Sequence, residues 1–307
     1  MPNKILIIPK INPDLDGLAC AYAYSRLLTK QGKDATEGIF GQPHPEAQYL
    51  IDRFHIYDIS FSPSGDFDSF VLVDASDVFG MPSIIRSEDV AEVIDHRELH
   101  RANELFPHAV IQIEKVGSAA TQIVEKYQDA CVAIDSWSAI LLYGAIYSNT
   151  LNFKASITSE RDKKAADWLE KQVQIPDGFI YDMFTAKTEA AKKDIRKVLL
   201  ADYKEFTFGS KKFGITQLEV VRLKALMKQC LDTVLCVLRD FQQQHGLYFV
   251  FLTSVDLEKN FNLFVSHDTH TQSLISRVFD VTFNENVAEK SGVLLRKEIV
   301  PLIVSRI

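Results

Sequence analysis

The chain of 307 residues is about twice as long as a typical domain, which predicts one large or two medium domains. Its composition, with 47% hydrophobic and 24% charged residues, 13 Gly and 10 Pro, excludes collagen-like, low-complexity and wholly disordered proteins. The 34 basic and 41 acidic residues give a net charge of -7, which argues against broad electrostatic binding of nucleic acid or of an anionic membrane.

The first half of the chain alternates short apolar strands with helices, and this alternation predicts an α/β fold with a parallel sheet covered on both faces. The predicted strands are residues 4–9, 35–40, 69–73, 90–94 and 110–113, and the predicted helices are residues 18–28, 46–53, 117–124, 136–147 and 158–172.

A turn at Pro176-Asp177-Gly178 is the first strong break after these elements, and we expect a hinge near it. Beyond it the sequence predicts a smaller α/β domain, with a helix-forming segment at 182–200, a hairpin at 206–215, a helix at 223–244, strands at 247–252 and 260–265, a helix at 272–279 and a terminal segment at 292–304. We therefore divide the chain into residues 1–180, a linker or hinge helix at 181–194, and residues 195–307.

The cysteines form no CxxC pair and no dense framework, so we expect reduced, buried thiols in a cytoplasmic protein; they are Cys20, Cys131, Cys230 and Cys236. The apolar run at residues 5–8 is too short for a signal peptide. No segment approaches the roughly 20 apolar residues that a membrane span requires. A soluble, cytoplasmic protein is the prediction.

Acidic residues follow three of the predicted strands. Asp14 and Asp16 come after the first strand, Asp74 ends the third, and Asp95-His96 ends the fourth. An Asp-x-Asp in a loop is by itself more often a helix cap or a turn. Because the carboxyl ends of parallel strands meet at one edge of a sheet, however, these groups should gather there and bind a divalent cation.

Competing cofactor motifs do not occur. The sequence contains no GxGxxG after the first strand, no GxxxxGK[ST] and no GxSxG, which argues against dehydrogenases, P-loop nucleotide hydrolases and serine hydrolases. The His-Asp-Thr-His run at 267–270 is interpreted as a solvated loop.

Seven motifs follow one another in the order found in the DHH phosphoesterase superfamily. They are Asn12-Pro13-Asp14-Leu15-Asp16, Asp74, Asp95-His96-Arg97, Gly117-Ser118-Ala119-Ala120-Thr121, the segment 149–154, Lys211-Lys212-Phe213-Gly214-Ile215 and Arg296-Lys297-Glu298-Ile299-Val300-Pro301. Over nearly the whole chain the sequence resembles the DHH-DHHA2 branch, which contains family II inorganic pyrophosphatases and prune-type exopolyphosphatases.

The resemblance implies two Mn²⁺ or Mg²⁺ ions. The residues that match the family's metal ligands are Asp14 and Asp16, the bridging Asp74, and His96 as the first histidine of the DHH motif. A late aspartate of the family corresponds to Asn149, which keeps an amide oxygen as a metal ligand but lacks the charge.

Two further positions depart from the pyrophosphatase pattern. The motif-one histidine is Lys10, and the second DHH histidine is Arg97. These departures resemble the prune or exopolyphosphatase branch rather than a true pyrophosphatase. Lys10 is expected to neutralise Asp14 directly, leaving one ion or none tightly bound, while Arg97 suits bidentate contact with phosphate.

Basic residues of the second domain match groups that hold phosphate in this branch. Lys211 or Lys212 matches one such lysine, and Arg296 with Lys297 resembles a terminal Ser-Arg-Lys-Lys element with one residue missing. The alternative is that these are solvated lysines on a hairpin and a basic strand end. The expected substrate-binding residues are therefore Lys10, Arg97, Lys211, Lys212, Arg296 and Lys297.

The resemblance implies a metal-dependent hydrolase that cleaves phosphoanhydrides, in polyphosphate or pyrophosphate, or small phosphate esters, and it suggests a homodimer. The alternative is a catalytically degenerate protein that binds a phosphorylated ligand or partner without turnover, which Lys10 and Asn149 favour. The nanoRNase and cyclic-dinucleotide phosphodiesterase activities of the superfamily are disfavoured because the glycine-rich GGGH-type motif is absent.

Overall fold

The computed structural model describes residues 3–96 and 101–306. The chain divides into two compact units, Met1–Met183 and Phe184–Ile307, and the division falls within a helix at Phe179–Lys193. The first unit contains a parallel sheet and the second a mixed sheet, which confirms the predicted fold class.

The first unit alternates strands and helices as the sequence predicts. Its strands are β1 (Lys4–Ile8), β2 (Asp34–Glu37), β3 (Ser69–Val73), β4 (Val90–Asp95) and β5 (Val110–Ile113), and its helices are α1 (Leu15–Lys30), α2 (Pro45–Phe54), α3 (Ala102–Leu105), α4 (Ala119–Asp129), α5 (Ser136–Asn149) and α6 (Glu160–Glu170). Helix α7 is Phe179–Lys193.

The first sheet has the order β2-β1-β3-β4-β5, and all its strands are parallel. The chain passes from β1 to β2 on one side and then returns to place β3 on the other side of β1. At such a reversal the loops beyond the two carboxyl ends diverge and leave a crevice. The segments that follow β1, β3 and β4 therefore lie side by side at one edge.

Burial explains why these segments form a two-sided sheet. Strands β1 and β3 carry continuous apolar runs, β4 carries one that Glu92 interrupts, and Leu6, Ile8, Leu72 and Val93 are fully buried. Helix α5 is apolar on nearly every side because it packs against α1, α4 and α6.

The second unit is built around a sheet with the order β10-β11-β9-β8-β7-β6, in which only the β7 and β8 pair is parallel. Its elements are α8 (Ile195–Asp202), β6 (Lys204–Phe208), β7 (Lys211–Val220), α9 (Leu223–His245), β8 (Phe249–Asp256), β9 (Phe261–Val265), α10 (Thr269–Phe279), β10 (Phe283–Asn284), β11 (Val287–Ser291) and α11 (Arg296–Val304). Separate apolar clusters cover the two faces of this sheet.

Three local predictions are wrong. The run at 267–270 is not a loop, because Asp268 caps α10 by accepting a hydrogen bond from the Thr271 N–H at 2.8 Å. Strands β10 and β11 lie in a region for which the sequence predicts no strand. Both are short and partly exposed, and this is why the apolar pattern does not reveal them. The four free cysteines are not all buried, because Cys131 and Cys236 are exposed.

Among the described residues, no helix combines the length and the apolar character needed to cross a membrane.

Candidate metal centre

The loop between β1 and α1 presents two aspartates. Asp14 is the N-cap of α1 and accepts a hydrogen bond from the Gly17 N–H at 3.0 Å, whereas Asp16 lies in the first turn and is buried. A Cβ atom on residue 17 would lie 2.8 Å from the Pro9 Cβ, so only glycine permits this close approach of helix and strand. The Asp-x-Asp motif thus serves both as a helix cap and as a buried carboxylate.

Asp74 follows β3 in a left-handed backbone conformation, with φ of 51°. Its N–H donates to the Ile94 carbonyl of the neighbouring strand at 2.8 Å, which fixes the turn. Aspartate tolerates this conformation better than most residues, and strained backbone of this kind is concentrated at functional sites. The turn holds the Asp74 carboxylate at the edge of the sheet.

His96 follows β4, and its ring is oriented by the backbone. Its Nδ1–H donates to the Val116 carbonyl at 3.1 Å, which fixes the orientation of the ring. Asp95 is buried beside it, where its carboxylate accepts hydrogen bonds from the Ser76 hydroxyl and from the His96 N–H. This orientation turns Nε2 towards the carboxylates of Asp74 and Asp16.

Three of these side chains converge. The His96 Nε2 lies 3.4 Å from the Asp74 Oδ1 and 3.8 Å from the Asp16 Oδ2, and one ligand atom from each residue lies within 4.8 Å of the other two. Two carboxylates and an imidazole suit a divalent transition ion such as Mn²⁺. The donor set therefore fits the predicted cation, and Asp16, Asp74 and His96 are its candidate ligands.

The carboxylate of Asp16 is held by the amino end of α4. Its oxygens accept hydrogen bonds from the Ser118 hydroxyl at 2.8 Å, the Ala119 N–H at 2.8 Å and the Ala120 N–H at 2.9 Å. Ser118 caps α4, close to the predicted start of this helix at residue 117, and in addition binds Asp16. A helix amino end favours negative charge, so it positions this carboxylate.

These hydrogen bonds favour the ionised form of Asp16, but they do not outweigh the surroundings that raise its pKa. Burial and the neighbouring carboxylates of Asp74 and Asp14 raise its pKa from 3.8 to about 7, although His96 and Ser118 act in the opposite direction. Crowded acidic groups of this kind are stabilised by a bound cation. The perturbed pKa is thus a second reason to assign a metal centre here.

Asn149, at the end of α5, also contacts Asp16. Its amide nitrogen donates to the Asp16 Oδ2, so the amide nitrogen points towards the cluster. The sequence predicts that the amide oxygen of Asn149 is a metal ligand. For this oxygen to face the cluster, the amide group would have to rotate.

Lys10 is paired with a residue that no motif indicated. Its ammonium lies 3.1 Å from the Asp77 carboxylate, in the loop that follows Asp74. Arg97, predicted to contact phosphate, lies outside the described residues.

The predicted basic residues of the second unit lie on β7 and α11. Lys212 forms an ion pair with Glu205 at 2.5 Å, and the Lys211 ammonium lies 5.0 Å from the centre of the Tyr248 ring. Arg296 forms a two-point ion pair with Asp202 at 2.6 and 3.2 Å, and its side chain is 11% exposed. Lys297 is the next residue of α11 and is exposed.

Comparison with known proteins identifies the family. The profile described as "DHHA2 domain" matches residues 181–305. A Bacillus licheniformis protein named probable manganese-dependent inorganic pyrophosphatase is 31% identical over 304 residues, which cover 97% of each chain. The manganese-dependent inorganic pyrophosphatase of Bacillus subtilis is 29% identical over 305 residues, 98% of each chain. The chain belongs to the manganese-dependent inorganic pyrophosphatase family.

A solved structure agrees with this assignment at the level of fold. The crystal structure of a Methanococcus jannaschii protein assigned to the family II inorganic pyrophosphatases superposes with a TM-score of 0.76, at 22% identity, over 98% of each chain. Membership of the pyrophosphatase family confirms the predicted resemblance.

One part of the centre is not indicated by any sequence motif. The sequence predicts that a helix starts at Gly117-Ser118, but it does not predict the contact of Ala119 and Ala120 with Asp16. A usable signal exists, because a helix that begins at the carboxyl edge of a parallel sheet presents its N–H groups towards that edge.

Proposed function

We propose that this chain is a manganese-dependent hydrolase of inorganic pyrophosphate, with its cation held by Asp16, Asp74 and His96. The single observation that carries the assignment is the convergence of these three ligand atoms within 4.8 Å at the carboxyl edge of the sheet. Membership of the pyrophosphatase family supports the hydrolase class and the manganese dependence.

The chain's own residues prepare the site for a cation. The amino end of α4 orients Asp16, the Val116 carbonyl directs the His96 Nε2 towards the carboxylates, and the left-handed turn fixes Asp74. A bound Mn²⁺ would supply positive charge to the phosphate oxygens and lower the pKa of a water molecule.

Dependence on the cation follows from the charge of the site. The start of α1 and the loop after β3 place Asp14, Asp16 and Asp74 near one another, and pyrophosphate is itself strongly anionic. Without a divalent cation the carboxylates would repel the substrate. Activity should therefore disappear on chelation and return with added Mn²⁺.

Phosphate contacts by other residues belong to the same proposal. We assign them to Lys10, Arg97, Lys211, Lys212, Arg296 and Lys297, on the basis of the motifs that these residues match. Asp14 and Asn149 complete the proposed set around the cation. The preference for polyphosphate suggested by Lys10 and Arg97 stays a prediction, as do the homodimer, the absence of nucleic-acid binding and the cytoplasmic location.

Phosphate release by the full chain tests the proposal. Pyrophosphate, tripolyphosphate and long polyphosphate are supplied separately with Mn²⁺ or Mg²⁺. We expect pyrophosphate hydrolysis with Mn²⁺, and a loss of about a thousandfold or more in kcat/KM for Asp74→Asn. Asp66→Asn is the matched control, because Asp66 is an exposed carboxylate in the loop before β3.

Two outcomes would contradict the proposal. Asp74→Asn with unchanged hydrolysis would show that the centre is not the active site. Tight Mn²⁺ and pyrophosphate binding without phosphate release would identify the chain as the degenerate binding protein that the sequence left open.

A further inference from the structure

The residues on the two sides of Asp74 differ in a way that bears on the number of bound cations. On one side, Asp16 and His96 bring a carboxylate and an imidazole to the Asp74 Oδ1. Three protein ligands, completed by water or substrate, are enough to hold one catalytic ion. This side can therefore bind a cation without further residues.

A second ion would have to lie on the other side of the same carboxylate. In two-metal sites the ions are about 3.5–4 Å apart and are commonly bridged by a shared ligand. The other Asp74 oxygen, Oδ2, faces the first turn of α1, because it lies 3.7 Å from the point where a Cβ atom of residue 17 would stand. The same point lies 2.8 Å from Pro9, the residue before Lys10.

Lys10 gives this second side a positive charge instead of a ligand. A lysine ammonium has three donors and no lone pair, so it cannot coordinate a cation. Its ion pair with Asp77 at 3.1 Å holds the ammonium against the loop that follows Asp74, three residues beyond it in the sequence, where its charge disfavours a divalent ion. Asp14, the first aspartate of the loop, accepts a hydrogen bond from the Gly17 N–H as the cap of α1.

We propose, on the basis of the proposed function, that the centre binds one divalent cation, held by Asp16, Asp74 and His96. The Lys10 ammonium provides the positive charge at the end of β1 in place of a second ion. The two ions implied by the family resemblance do not fit this donor set.

Counting bound Mn²⁺ tests the inference without any measurement of activity. The metal-free full chain is titrated with Mn²⁺ in the absence of substrate, the bound metal is measured after rapid gel filtration, and electron paramagnetic resonance spectra are recorded. We expect about one ion per chain, with the hyperfine pattern of an isolated Mn²⁺. Two ions per chain with a spin-coupled spectrum would overturn the inference.

Lys10→His shows whether Lys10 sets this number. The substitution replaces the ammonium by an imidazole, a good ligand for Mn²⁺, and we expect about two bound ions and a spin-coupled spectrum. Lys33→His, at an exposed lysine after α1, is the matched control and should bind as the unmodified chain does. Lys10→His that still binds one ion would overturn the role given to Lys10.

Failure of the proposed function has a different signature. A chain that binds no Mn²⁺ and releases no phosphate would contradict the metal-dependent hydrolase itself. A chain that hydrolyses pyrophosphate with two bound ions would contradict only the single-ion inference.

Discussion

Asp16 and Asp162 lie against the same first turn of α4, and both are buried, but their surroundings differ. Asp162 accepts hydrogen bonds from the Gly117 N–H, the Thr121 hydroxyl and the Ser159 hydroxyl at 2.6–3.1 Å, and it closes the capping box of α6. Asp16 accepts a similar set of hydrogen bonds but also faces Asp74 and His96.

This difference shows what separates a structural carboxylate from a metal ligand. Both groups are well supplied with donors, so a count of hydrogen bonds does not distinguish them. What distinguishes them is the second carboxylate next to Asp16, whose repulsion a cation removes. Asp162 should therefore contribute to stability and Asp16 to binding.

The largest expected effect is the functional loss in Asp16→Asn. The amide cannot supply the anionic oxygen, so we expect kcat/KM for pyrophosphate to fall by about a thousandfold or more and Mn²⁺ binding to weaken in parallel. The unfolding free energy of the metal-free protein should change by less than about 1 kcal/mol, because the repulsion with Asp74 is relieved while hydrogen bonds are lost. Steady-state kinetics and denaturant unfolding measure the two effects. A variant that loses stability but keeps activity would reverse the roles assigned to the two carboxylates.

Asp162→Ala should show the opposite pattern. It leaves the Gly117 N–H, the Thr121 hydroxyl and the Ser159 cap without their acceptor, and unsatisfied buried donors of this kind predict a loss of about 3 kcal/mol in unfolding free energy. Urea unfolding of the metal-free protein, with Asp167→Ala on the same helix as the control, provides the measurement. An unchanged midpoint would show that water replaces the carboxylate.

The sequence was informative where apolar runs and strand ends determine the structure. Strand β3 was predicted to the residue because it is a continuous apolar run, and the meeting of Asp74 with His96 follows from the common edge of parallel strands. Contacts between distant loops could not be predicted. Lys10 pairs with Asp77, which belongs to no motif, and the Asn149 amide is oriented by Asp16 rather than by a local pattern.

A further difference between the two carboxylates concerns the pH dependence of the metal-free protein. The Asp16 pKa is about 7 in the folded state and 3.8 in the reference state, so between these values the folded state binds more protons than the unfolded state. The stability contributed by Asp16 is therefore fully present below about pH 3.8 and is lost as the pH rises through 7.

The same shift makes Mn²⁺ binding compete with a proton. Below pH 7 the apparent affinity should fall by up to about tenfold for each pH unit, because the cation must displace the proton from Asp16. Calorimetric titrations at pH 5.5, 6.5 and 7.5, chosen on the order of one unit apart around this pKa, would measure the slope, and two buffers of different ionisation enthalpy would report the released proton. Asp16→Asn should show neither the stability slope nor the proton release. If the unmodified chain also releases no proton on binding Mn²⁺ below pH 7, then Asp16 is already ionised in the folded protein, and the contrast with Asp162 reduces to the position of the ligands alone.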